Sequence, residues 1–203
     1  MTRESRSQEH HQAWREAGFH LRHREALRGL GLRWRDAQQY FARVPEEKAL
    51  AAARGLYAGH PVLLLGGHGT GKTTLATYLA WADGQRHAHA DTPWSCRYWT
   101  LRQLFQEIRD DWTRKTNATR DAAKATHLLV LDEVDAALAH DKGWGRDELA
   151  ALLDHRYGQG LPLILIGNAH PKRFASLLGS AAADRLRQNV NYIPHTWESY
   201  RVA

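Results

Sequence analysis

The sequence is nearly devoid of cysteine. Cys96 is the single one in 203 residues, which excludes a disulfide framework or a cysteine zinc site within one chain. It lies in a short apolar segment and reads as a packing residue. No apolar run approaches the ~20 residues that a membrane span needs. Met1 to Glu16 is polar and charged, unlike a secretory leader. These absences predict a cytoplasmic protein with no membrane partner. No internal repeat and no low-complexity tract stands out.

Acidic charge is also in deficit. Lys and Arg number 28 against 22 Asp and Glu, a formal net charge of +6. A basic balance favours an anionic partner such as nucleic acid, or else reflects a solvated basic surface. The apolar fraction of 43% is ordinary for a globular chain, so a buried core is expected.

Residues 1–44 are rich in Arg, His and Glu and read as an N-terminal extension, a possible partner-docking arm. Residues 45–203 read as one α/β core. Short apolar runs at 62–65, 96–99, 127–131, 163–166 and 190–193 predict five strands. Helices are expected over 46–57, 73–82, 101–113, 148–157, 171–178 and 181–187, with 117–124 as a loop or loose helix end. Alternating strands and helices imply a mainly parallel five-stranded sheet covered on both faces. Ligands of such sheets bind at the carboxyl ends of the strands.

The polar motifs fall at those ends. Gly66-Gly67-His68-Gly69-Thr70-Gly71-Lys72-Thr73 satisfies the phosphate-loop spacing between an apolar strand and a helix. Glycines let such a loop wrap closely and turn its N–H groups inward, and the helix N-terminus adds positive potential. Gly67 to Thr74 would thus cradle phosphates, Lys72 would reach the β- and γ-phosphates of ATP, and the Thr73 hydroxyl would face Mg²⁺. Leu128-Leu129-Val130-Leu131 ends on Asp132-Glu133. Asp132 can hold Mg²⁺, and Glu133 can polarise the attacking water, which favours hydrolysis over transfer to a small acceptor. Asn168, after the fourth strand, either orients that water or makes a turn. Lys72, Glu133 and Asn168 form the expected catalytic set.

The segments GGHGTGKTTLA, LLVLDEVD, PLILIGNAH, LLGSAAADRLRQN and NYIPHTWESYR together resemble the AAA+ ATPases of the DnaC/IstB family, over about residues 45–201. The resemblance implies a P-loop AAA+ core without a C-terminal lid domain, as only 35 residues follow Asn168 in this chain. It implies Walker A at Lys72 and Thr73, Walker B at Asp132 and Glu133, sensor 1 at Asn168 and a sensor 2 arginine at Arg201. It places Arg185 in the inter-subunit segment, with possible self-association. It implies single-stranded DNA binding by the helical region before Walker B, with Arg102, Arg109, Arg114 and Lys115 as phosphate contacts. Trp99 and Trp112 read as core residues rather than base-stacking platforms. The family pattern departs at Ser180-Ala181-Ala182-Ala183, where an arginine finger is expected, so slow intrinsic hydrolysis is anticipated. The implied function is loading of a replicative DNA helicase onto single-stranded DNA. The alternatives are an IstB-like transposition helper or a nucleotide-switched adaptor that barely hydrolyses ATP. His10, His11, His20, His23, His87 and His89 have no second ligand cluster by spacing and read as solvated surface.

Overall fold

The computed structural model describes residues 46–90 and 92–199. The proposed extension, its boundary at 44/45 and Arg201 lie outside the described residues. The elements run α1 (Glu46–Tyr57), β1 (Val62–Gly66), α2 (Lys72–His89), β2 (Cys96–Thr100), α3 (Leu101–Arg114), α4 (Ala118–Ala125) and β3 (Leu128–Asp132). They continue with α5 (Val134–Leu138), α6 (Trp144–Gly158), β4 (Leu163–Gly167), α7 (Pro171–Leu178), α8 (Ser180–Asn189) and β5 (Asn191–His195).

All five strands pair in parallel, in the order β2-β3-β4-β1-β5. The apolar runs are buried on both faces, and the strand period of two divides their side chains between two cores. Leu63, Leu65, Leu129, Leu131, Leu163 and Leu165 pack beneath α3 and α5 to α8. Val62, Leu64, Leu128, Val130, Ile164 and Ile166 pack against α1 and α2 on the opposite face. Cys96 belongs to the second core, where burial pushes its thiol pKa up to about 12. It is a packing residue, as its sequence context suggests.

Local chemistry sets the helix boundaries. Thr100 caps α3 by accepting from the Gln103 amide at 3.3 Å, while the Gln103 side chain accepts from the Thr100 amide at 3.1 Å. Lys115 closes the helix in the left-handed region at φ 56°. His170 caps α7, whose first residue is Pro171. Four expectations need correction. Residues 118–125 form a helix, because Ala123 is drawn into the core by α4. The helix expected at 73–82 continues to His89, and the one expected from 148 begins at Trp144. Trp112 is not a core residue: it is 47% exposed, whereas Trp99 is 7% exposed and does belong to the core.

Arg156 on α6 is the largest fully buried side chain among the described residues. Nη1 donates to the carbonyls of Ala123 and Thr126, both at 2.9 Å. Nη2 donates to those of His127 and Pro162, at 2.7 and 2.6 Å. One guanidinium thus satisfies the carbonyls of the turns that feed β3 and β4. Burial lowers its pKa to about 10, so it stays charged at neutral pH. Removal of a buried charged donor leaves its acceptors unsatisfied. Arg156→Leu is therefore expected to lower stability by roughly 3 kcal/mol or more, read as a drop in the urea midpoint. Arg156→Lys, which lacks the fork geometry, should recover only part of the loss.

Candidate functional site

The strand order sets β3, β4 and β1 side by side. Their carboxyl ends carry Asp132-Glu133, Asn168 and the glycine-rich loop respectively. Leu65 pairs with Gly167, so Asn168 follows directly beside the start of the loop. Three segments that are far apart in sequence thereby face one another on one rim of the sheet.

The loop between β1 and α2 is compact. Gly69 and Gly71 take φ of 74° and 82°, a region that L side chains enter only with strain. The Thr70 hydroxyl donates to the Gly67 carbonyl at 2.9 Å. Lys72 is 6% exposed, and its ammonium donates to the carbonyls of Gly66 at 2.9 Å and Gly67 at 2.6 Å. The charge is held over its own loop. The first turn of α2 opens on the same place, with N–H groups that have no acceptor within the helix. His68 is exposed at the loop apex, and Thr74 is half-buried behind Thr73.

Asp132 joins the loop to the sheet. Its Oδ2 accepts from the Thr73 hydroxyl at 2.8 Å and from the Tyr98 hydroxyl at 2.9 Å. Its Oδ1 accepts from the Glu133 amide at 2.7 Å. Burial, followed by the charge of Asp132, pushes the Tyr98 phenol well above its ordinary range, so Tyr98 stays protonated and donates to the carboxylate. Thr73 and Asp132 together present a hydroxyl and a carboxylate oxygen, the hard donor set that suits Mg²⁺.

Glu133 is exposed and sits at φ 54°, ψ 35°. A left-handed Glu costs roughly 1 kcal/mol or more. Asn168 is half-buried, and its amide donates to Asp135 Oδ1 at 2.9 Å. That bond joins the turn after β4 to α5. Gly167 is required there, since a Cβ would stand 2.8 Å from the Phe174 ring and 2.9 Å from Asp135.

Several residues at the site escaped the sequence reading. Tyr98 and Asp135 are two. The others are His195 and Trp197, which both bond the Thr70 carbonyl, Nδ1 and Nε1 each lying 3.1 Å away. Their rings stack at a tilt, 4.5 Å between centroids. His195 is buried at the end of β5, and burial lowers its pKa to about 4. It is neutral at pH 7 and donates from Nδ1. The one available signal was the NYIPHTWESYR segment, which carries both residues but not their target.

The other sequence candidates lie elsewhere. Arg102, Arg109 and Arg114 are exposed on α3, with Lys115 at its end. The Arg109 guanidinium stands 4.7 Å over the Trp144 ring, and that ring meets Trp112 edge-on at 5.2 Å. Arg120 lies 5.6 Å over Trp112 and pairs with Glu148 through two bonds of 2.6 and 2.8 Å. Arg185 on α8 pairs with Asp154 of α6 at 2.5 Å. Ala182 and Ala183 are buried.

The family pattern described as "ATPase family associated with various cellular activities (AAA)" matches residues 62–190. Among solved structures, the chain is similar to the DnaC helicase loader, with 17% identity and a TM-score of 0.63 over 74% of this chain and 90% of that one. DnaI is similar with 22% identity and a TM-score of 0.58, over 76% of this chain and 84% of that one. A replication initiator DnaA bound to AMPPCP and single-stranded DNA matches with 20% identity and a TM-score of 0.61, over 75% of this chain and 47% of that one. The chain spans less than half the length of that initiator and of a DNA replication initiation factor, of which it covers 44%. These likenesses establish the fold: a five-stranded parallel P-loop sheet of the AAA+ kind. The matched pattern spans well over half of the chain, from β1 to the end of α8, and with it this protein belongs to the AAA family of ATPases.

Proposed function

We propose that the chain is an ATP-hydrolysing DNA-replication protein that delivers a replicative helicase to single-stranded DNA. The observation that carries the ATPase part is the 2.8 Å bond between Thr73 and Asp132. It brings the two halves of a magnesium-nucleotide site together across 59 residues of sequence. When ATP enters, Lys72 exchanges its two loop carbonyls for β- and γ-phosphate oxygens. Thr73 and Asp132 would hold Mg²⁺, which would supply positive charge to the phosphates when bound. Glu133 takes a proton from the attacking water, and Asn168 orients that water beside the loop. Arg201 would complete the phosphate contacts as the sensor 2 residue.

The helicase-loading part rests on the resemblance to the DnaC/IstB family and on the likeness to DnaC along nearly all of that chain's length. Residues 1–44 would serve as the helicase-docking arm. The DNA-facing surface is the end of α3, where exposed Trp112 lies among Arg109, Arg114, Lys115 and Arg120. An exposed indole with Arg120 over its ring and Arg109 over the adjoining Trp144 suits a stacked base and its flanking phosphates, and Arg102 extends that surface along the helix. Arg185 is the candidate inter-subunit arginine. Its partner Asp154 is 46% exposed, so the pair is weak and can be exchanged for a neighbouring subunit.

A slow, switch-like ATPase is favoured by one specific observation. Ala182 and Ala183, where the family places its finger, point into the core, so the nearest exposed arginine is Arg185. Without a finger supplied in trans, hydrolysis loses a factor of about 10³ or more.

Five measurements test the proposal. Lys72→Ala should abolish ATP binding in an equilibrium titration. Glu133→Gln should keep ATP binding but lose about 10² or more of the turnover. Trp112→Ala should weaken single-stranded DNA binding about tenfold with an unchanged melting temperature, and Arg109→Ala should flatten the salt dependence of binding. Absence of any ATP-dependent complex with a replicative helicase, alongside tight duplex binding, would move the assignment to a transposition helper.

A further inference from the structure

A second cluster of chemistry-bearing side chains lies far from the phosphate loop. Asp83 and His87 stand four residues apart on α2, hence on one face of the helix. His127 immediately precedes β3, at the opposite end of the sheet from Asp132. Sequence spacing alone treats His87 as solvated surface, because His127 is 40 positions away and only the fold unites them. One ligand atom from each of the three lies within 4.8 Å of the others. His127 Nε2 is 3.1 Å from Asp83 Oδ2, and His87 Nε2 is 4.0 Å from Asp83 Oδ1. The two imidazoles meet edge-on with centroids 4.3 Å apart.

We propose that Asp83, His87 and His127 form a binding site for a divalent transition-metal ion of the zinc type. Ligands at ~2.0–2.2 Å from zinc stand about 3.3 Å apart in a tetrahedron, so small side-chain rotations close the set. Two imidazoles and one carboxylate leave a fourth position for water, and such a set prefers zinc over magnesium or calcium. The surroundings already orient the ligands. His87 Nδ1 is hydrogen-bonded to the Thr92 hydroxyl at 2.7 Å, which leaves Nε2 for a ligand role. The Trp94 indole donates to Asp83 Oδ2 at 2.9 Å and fixes the carboxylate. Asp83 itself is completely buried, and a buried carboxylate requires a compensating cation.

Arg86 supplies that cation at present. Its Nη2 lies 3.1 Å from Asp83 Oδ1 and 3.5 Å from His87 Nε2, at the point where the ligands converge. The side chain is 48% exposed and its guanidinium already leans 4.7 Å over the Tyr57 ring. Its exposed side leaves it free to swing out toward solvent. Arg86 and the metal compete for one place, and the metal would bind the C-terminal half of α2 to the start of β3.

Cobalt(II) and zinc(II) titrations of the full chain test this, with the cobalt visible spectrum as the readout of a nitrogen-rich site. The wild type should bind one equivalent with that spectrum. His87→Ala or His127→Ala should each lower affinity at least tenfold, since even outer-sphere partners are worth 10- to 100-fold. Arg86→Ala should raise affinity several-fold and increase the melting temperature gained on adding zinc. His87 is near the surface, so its variant should fold, as judged by circular dichroism. ATP binding by these variants should stay at the wild-type level. Equal cobalt binding and spectra in wild type, His87→Ala and His127→Ala would overturn the proposal. So would an Arg86→Ala variant whose zinc affinity does not rise.

Discussion

Asp132 accepts three hydrogen bonds, two from other elements and one from its own neighbour: the Thr73 hydroxyl of α2, the Tyr98 hydroxyl of β2 and the Glu133 amide. A buried carboxylate is tolerated only when its lone pairs are satisfied. This requirement fixes the distance between α2 and the edge of β3, and therefore the position of the phosphate loop over the sheet. The same bonds hold the Thr73 hydroxyl and the carboxylate side by side.

The sheet makes that alignment possible. Parallel strands place all carboxyl ends on one rim, and the order β3-β4-β1 brings Asp132, Asn168 and Gly66 to adjacent positions. Two cores hold the rim in place from opposite faces. One of them packs α1 and α2, and the other packs the six helices that follow β2. Arg156 secures the opposite end through four carbonyls. The rim that carries the candidate site and the rim that holds the turns together are thus supported by different residues.

The parts legible in the sequence were those encoded locally. Gly66 to Thr73 is a contiguous pattern whose chemistry follows from its spacing, and the apolar runs announce the strands directly. The rest depends on distant partners. Arg156 looks like an ordinary helix-end arginine until the fold surrounds it with carbonyls from 123 to 162. Tyr98 and Asp135 are unremarkable until β2 and α5 bring them to Asp132 and Asn168. The polar composition of 118–125 hid a helix because only Ala123 needs burial, and α5 is five residues long, too short for a helical period to register. Trp112 illustrates the reverse error. Its spacing fits the apolar stripe of α3, but it lies at the edge of that stripe, against Trp144 and open to solvent.

The contacts of the Thr70 carbonyl bear on the order in which the molecule assembles. His195 and Trp197 reach it across sequence separations of 125 and 127 residues. Among the described residues, β5 pairs with β1 alone. Contacts of such long range form late, because closing the intervening chain costs entropy that only completed packing offsets. The observed shape of the phosphate loop thus includes contacts that only a docked β5 and the segment after it supply. A folding intermediate that holds the central strands yet lacks β5 would carry the entire Gly66 to Thr73 motif without its anchor. Competence to bind nucleotide would then report that the last strand is in place.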